Sequence, residues 1–222
     1  MRTWALCGWL VCLTVGSATA QTNTPPPSPE LRTLLREARQ ALASRKFDDA
    51  AAKYEAALAL DPKNTFAQFN LGVVRYQQGQ LDEAEAALAK VIAATPDDSG
   101  AWSLRGAIHF RQGKLQIALK ELRGAVALDP GNAEAHNFLG IALSEHGKPA
   151  DAEQEVRRAI ELKPDYADAH VNLAVLYAHQ QPPRRELARY HYQKALALHA
   201  PPDPALEALL NPAPTPTNAP AP

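Results

Sequence analysis

Four prolines, Pro62, Pro96, Pro130 and Pro164, stand 34 residues apart, and each follows an alanine-rich run inside a turn-like segment. The segments are Leu60-Asp61-Pro62-Lys63-Asn64, Thr95-Pro96-Asp97-Asp98, Leu128-Asp129-Pro130-Gly131-Asn132 and Leu162-Lys163-Pro164-Asp165-Tyr166. Proline stops a helix there, because it lacks an N–H and disfavours helical geometry in the residue before it. Small residues keep the same period: Ala50, Ala84, Ala118 and Ala152 form one series, and Ala38, Gly72, Gly106, Gly140 and Ala174 another. A second set of breakers, Gly79, Gly113 and Gly147, divides each middle unit into two helices of about a dozen residues. A helix pair this short cannot bury its own apolar stripe, so successive pairs must stack into a solenoid. The period therefore excludes a single globular core. The alanine richness and an aromatic content of only 6% point the same way, toward helices packed through small side chains and away from an all-β sandwich.

The units resemble tetratricopeptide repeats, whose pattern runs through an aromatic, Leu-Gly, Tyr, Ala, an aromatic or Leu, and Pro. One unit carries Leu71-Gly72, Tyr76, Ala84, Leu88 and Pro96; the next has Trp102, Gly106, Phe110, Ala118, Leu122, Ala125 and Pro130; a third has Leu139-Gly140, Gly147, Ala152, Ala159 and Pro164. The resemblance implies an all-α fold, an α-solenoid of five helix-turn-helix repeats over 31–64, 65–98, 99–132, 133–166 and 167–202. The outer units depart from the pattern, with Ala38 and Ala174 in place of Gly. In the fifth, Pro182-Pro183-Arg184-Arg185 lengthens the turn between the helices. Arg105 stands where the second, fourth and fifth units carry Leu. Leu71, Leu139 and Leu173 on first helices, with Leu88, Leu122 and Val156 on second helices, are expected to fill the shared layer, and Gly or Ala at the crossings lets the helix axes approach.

Both ends of the array carry capping signals. Ser28-Pro29-Glu30 offers an N-cap, a proline at the first helical position and an acid in the first turn. Asp203-Pro204 repeats that signal ahead of Leu206, Leu209 and Leu210, which predicts a short capping helix over 204–210, within a segment 203–211, with one apolar stripe. Residues 212–222 form a proline-rich tail, and 21–30 a proline-rich linker. Residues 1–20 read as a secretory signal peptide: Arg2, an uncharged apolar stretch from Trp4 to Val15, and Ala18-Thr19-Ala20 before Gln21. The stretch is short for a membrane span of about 20 residues. Cleavage after Ala20 removes both cysteines, Cys7 and Cys12, and with them any disulfide or thiolate site. The expected location is periplasmic or secreted, with an uncleaved membrane anchor as the alternative.

With 23 Lys plus Arg against 24 Asp plus Glu, the chain offers no field to attract nucleic acid or anionic lipid. Rotation by 100° per residue splits each first helix into two faces. In the second unit Gln68, Leu71, Gly72 and Arg75 mark the packing side and leave Phe66, Phe69, Asn70, Val73, Tyr76 and Gln77 on the other. Corresponding residues are Ser103, Ala107, Phe110 and Arg111; Glu134, Asn137, Ile141, Ser144 and Glu145; and Asp168, Val171, Asn172, Val175 and His179. The family resemblance implies that this side lines a concave, peptide-binding groove. The candidate groove residues are Phe66, Phe69, Asn70, Val73, Tyr76, Phe110, Arg111, Asn137, Ile141, Asn172 and Val175. Phe69, Tyr76 and Phe110 have a second reading, as packing against the neighbouring repeat. The clamp that chaperone-binding relatives use for a carboxylate is poorly matched, since Phe69, Val73 and Gly100 stand where charged or polar residues are needed. The asparagine ladder of sugar-transferase relatives keeps only Asn70 and Asn172, interrupted by Leu104 and Phe138.

Histidines 34 apart, His136 and His170, share a repeat position, and no pair has i, i+4 metal-ligand spacing, so no metal or other cofactor is expected. The paired acids Asp48-Asp49, Asp82-Glu83 and Asp97-Asp98 read as helix-start residues rather than catalysts. The resulting expectation is an exported scaffold or adaptor that binds a protein or peptide partner and does no catalysis. The alternatives are an assembly factor or chaperone for a cell-envelope or secretion machine, and a regulatory subunit of an enzyme complex.

Overall fold

The computed structural model describes residues 27–211. The expected leader, most of the linker and the proline-rich tail lie outside them. Ten helices run as five antiparallel pairs: α1 (Pro29–Ala43) with α2 (Phe47–Leu60), α3 (Thr65–Gln77) with α4 (Leu81–Ala94), α5 (Ser99–Arg111) with α6 (Leu115–Leu128), α7 (Ala133–Glu145) with α8 (Pro149–Leu162), and α9 (Ala167–His179) with α10 (Arg185–Ala197). A short α11 (Pro204–Leu210) follows.

Local chemistry sets the helix limits. Ser28 Oγ accepts from Leu31 N at 3.1 Å, opening α1. Asn64, Asp98 and Asn132 do the same for α3, α5 and α7, accepting from Ala67, Ala101 and Ala135 at 3.0, 2.9 and 2.9 Å. Asp48 and Asp49, and Asp82 and Glu83, occupy the first turns of α2 and α4, where a carboxylate offsets the exposed N–H groups. Gly79, Gly113 and Gly147 take φ of 79°, 76° and 78°, the left-handed geometry that reverses the chain within each middle repeat.

The small-residue series marks the crossings. A Cβ on Gly106 would stand 2.7 Å from Leu122 Cγ, and one on Gly72 3.1 Å from Leu88 Cγ; at Gly140 the Val156 side chain is closer still. Ala50, Ala84, Ala118 and Ala152 are fully buried on the second helices, as are Leu88, Leu122 and Val156. Leu139 and Leu173 are buried, whereas Leu71 is half-buried at the margin of the layer. Arg105, in the place of these leucines, stays largely covered and pairs its guanidinium with Glu121 on α6.

Two features shape the array. First helices of successive repeats touch, α3 with α5, α5 with α7 and α7 with α9, while second helices make no comparable contact with one another. The stack therefore curves with its first helices inside. At the C-terminal end, α11 closes the last repeat: Leu206 and Leu210 are buried, and Asp203 caps the helix through Ala205 N and Leu206 N. Leu209 departs from the expected stripe and is 41% exposed, because two leucines suffice to cover the layer left open by α9 and α10. Among the described residues, no helix is long and apolar enough to cross a membrane.

Candidate functional site

The inner face is built from the first helices in rows one repeat apart. Phe66, Gly100, Glu134 and Asp168 form the row at the helix N-termini; Gln77, Arg111, Glu145 and His179 form the row at the C-termini. Of the eleven candidate groove residues, Phe66, Asn70 and Phe110 are half-buried and Arg111 is exposed. Phe69, Val73, Tyr76, Asn137, Ile141, Asn172 and Val175 are buried, so much of this face is covered within the array. The physical reason is curvature. Side chains on the inner surface of a tight bend converge and are covered by the first helices on either side.

Phe69 illustrates the packing reading: its ring edge lies against α5, where a Cβ on Gly100 would stand 3.5 Å from Cε2. Tyr76 is covered by Arg111, whose guanidinium carbon stands 4.7 Å from the ring centroid and whose Nη1 donates to Tyr76 O at 2.9 Å. Phe110 packs against the C-terminal core cluster and keeps partial exposure.

Toward the C-terminal half the buried floor is polar. Asn172 Nδ2 donates to Asn137 Oδ1 at 3.0 Å, and Asn137 Nδ2 donates to Tyr166 Oη at 3.4 Å. Asn172 Oδ1 is buried with no donor. The Asp168 carboxylate, one helical turn before Asn172, has no hydrogen bond or ion pair among the described residues. Burial pushes its carboxyl up from 3.8 to about 7, against the pull of Lys163. Lys163 is itself held by Glu134 at 3.4 Å and stands 5.1 Å from the Tyr166 ring centroid. Burial, first among the causes, also raises the Tyr76 and Tyr166 phenols, and the Asp168 charge adds to the rise in both. Face patterning places Glu134 and Asp168 on this side; Tyr166, which reads as a turn residue, is the member it misses.

Two further features had weak sequence signals. Gln68, Trp102, His136 and His170, one repeat apart, each face a proline carbonyl six residues back. The partners are Pro62, Pro96, Pro130 and Pro164 O, at 2.7, 2.8, 3.1 and 3.1 Å. Three unlike kinds of side chain thus perform one task, bonding the inter-repeat turn through a ring or amide N–H. The second feature is a charged cluster. Buried Glu121 pairs with Arg105 at 2.8 Å and with His109 Nδ1 at 2.7 Å, and His109 Nε2 reaches Glu85 at 3.2 Å. Among the described residues no group of three or more His, Cys, Asp or Glu is placed to hold a metal ion.

Comparison with known proteins agrees with this architecture. Family profiles described as "Tetratricopeptide repeat", "TPR repeat" and "Tetratricopeptide repeat" match residues 41–108, 106–147 and 139–205. No curated protein sequence matches the chain. Among solved structures, TTC0263, a thermophilic TPR protein of Thermus thermophilus, is 26% identical with a TM-score of 0.69, over 81% of this chain and 96% of that one. YrrB, described as a TPR protein with an unusual peptide-binding site, is 26% identical with a TM-score of 0.51, over 78% and 87%. The pilF protein of Pseudomonas aeruginosa, at 19% identity and a TM-score of 0.65 over 81% of each chain, shares the fold. Five stacked helix pairs, a C-terminal capping helix and profile matches running from residue 41 to residue 205 make this chain a member of the tetratricopeptide repeat family.

Proposed function

We propose that the protein is an exported scaffold that holds an extended segment of a partner protein along its concave face and does no chemistry of its own. The observation that carries the reading is the inner face itself. It is walled by half-exposed Phe66, Asn70 and Phe110, edged by exposed Arg111 and His179, and floored toward its C-terminal half by side chains with unmet hydrogen-bonding capacity. An extended peptide backbone supplies both donors and acceptors along its length, which suits such a surface. The likeness to YrrB, at 26% identity, supports a peptide as the ligand class. Export rests on the leader at residues 1–20, and N-terminal sequencing of the secreted or periplasmic protein tests it: a first residue of Gln21 supports cleavage, and Met1 or Arg2 refutes it. The groove is tested by capture from native envelope extract with Phe66→Ser combined with Asn70→Ala. Loss of the captured partner with helix content retained supports the reading, and undiminished capture refutes it.

A second reading, an assembly factor that docks through its outer side, draws on exposed Leu187 and Tyr190 of α10. The same capture with Leu187→Ser and Tyr190→Ser separates the two.

A further inference from the structure

The floor of the groove is short of donors where α7 and α9 meet. Asp168 carries a carboxylate that no side chain or N–H of the described residues reaches, and the nearest cation, Lys163, is engaged by Glu134 at 3.4 Å. Glu134 and Asp168 hold equivalent places in successive repeats, so two carboxylates line the same wall and share one lysine.

Asn172 gives an independent sign of the same deficit. It lies four residues after Asp168, on the same face of α9, and helical side chains lean toward the N-terminus, so its amide lies over the Asp168 turn. That amide is fully buried. Nδ2 is used on Asn137, and Oδ1 is left with no donor. Nearly all buried side-chain oxygens in folded proteins find a donor, so an orphan beside an unpaired carboxylate marks a place completed from outside. The walls suit a cation as well. The Tyr166 ring, two residues before Asp168, already faces the Lys163 ammonium at 5.1 Å.

We propose that this corner of the groove is a receptor for one basic side chain, a lysine or arginine of the bound segment, which pairs with Asp168 where α7 and α9 meet. The inference rests on the groove reading and deepens it by naming the anchor that the partner must carry. It assigns to this chain the reverse of a carboxylate-gripping clamp: an acidic receptor for a cation. The described C-terminal end of the array does not supply that cation, since the last helix and its flanks, from Pro201 to Asn211, hold no Lys or Arg.

The test uses the purified full-length protein at pH 8 and a library of fluorescein-labelled dodecapeptides. Each has one central Lys or Arg in an uncharged background, and each is matched to a peptide with norleucine or citrulline at that place. Fluorescence anisotropy is expected to show the basic members binding at least tenfold tighter than their neutral partners. In Asp168→Asn that preference should vanish, basic and neutral peptides of each pair binding alike. Asp151→Asn, an exposed change on the outer helix α8, should keep the preference, which removes general charge attraction as the cause. Far-ultraviolet circular dichroism confirms that both variants are folded. Equal binding of basic and neutral peptides, or a preference that survives in Asp168→Asn, overturns the receptor while leaving the groove intact. Failure of every peptide to bind overturns the groove and the receptor together.

Discussion

Asp168→Asn separates a structural carboxylate from one that folding tolerates at a cost. In the native state burial pushes the Asp168 carboxyl up from 3.8 to about 7, Lys163 opposing the rise. The folded protein therefore holds this proton more tightly than the unfolded chain. The sign follows from linkage: the contribution of Asp168 to stability is whole below about pH 3.8, declines as the carboxyl ionises, and levels off above about pH 7. At about 1.4 kcal/mol per pH unit, the rise corresponds to about 4 kcal/mol, and water reaching the half-buried residue lowers this to about 2–4 kcal/mol. Asparagine keeps the shape without the charge, so wild type and variant should unfold alike near pH 4, and the variant should be more stable at pH 8. Urea titrations followed by circular dichroism at pH 4, 6 and 8 read the difference, and all other titrating groups cancel in it. With a slope of about 2 kcal/mol per molar urea, the midpoint at pH 8 should rise by about 1–2 M. A variant no more stable than wild type at pH 8, or a gain that does not vary with pH, would refute the argument that this half-buried carboxylate is unpaired.

Gly106→Ala places a methyl group 2.7 Å from Leu122 Cγ in a fully buried crossing, so overpacking of about 1–3 kcal/mol should outweigh the roughly 1 kcal/mol that alanine returns in helix propensity. Thermal unfolding checks this, and an unchanged midpoint would place the crossing elsewhere. Glu121→Ala leaves the Arg105 and His109 donors on α5 without their buried acceptor and should cost about 3 kcal/mol, measured by the same denaturation. His170 and His191 meet through Nδ1 atoms 2.9 Å apart. His170 Nε2 faces Pro164 O, so His170 Nδ1 accepts and His191 Nδ1 donates. Burial first, then His170, lowers His191 from 6.5 to about 4, so stability is whole above about pH 6.5 and falls as pH drops toward 4. In His191→Gln this acid-side loss should shrink, as read by hydrogen exchange of α9 and α10 between pH 7 and 4.

Period and packing were largely legible in the sequence, because stacking imposes local requirements that recur. Gly72, Gly106 and Gly140 sit where axes cross, and the glycines at 79, 113 and 147 adopt the positive φ that their turns demand. Ser28 and Asp203 cap the helices they precede. The groove was legible only as a face. Helical rotation identifies the side on which Asn137 and Asn172 lie, but whether that side is open depends on curvature, which emerges from all the contacts between first helices. Pairings across helices were not legible either: Arg105 with Glu121, and His170 with His191, are 16 and 21 residues apart, and neither leaves a spacing pattern. Gln68, Trp102, His136 and His170 share a register but no chemical class, and their common N–H bond to a proline carbonyl becomes visible only in three dimensions.

The central claim, that a partner lies along the concave face, is tested most directly by site-specific photocrosslinking in living cells that make the protein. A benzophenone amino acid is placed in turn at Phe66, Asn70 and Arg111 on the inner face, and at Lys90, Arg123 and Arg158 on the second helices. The account predicts adducts to one partner from the inner positions, with the outer positions giving none. Adducts confined to Lys90, Arg123 or Arg158, with the inner positions silent, would contradict it.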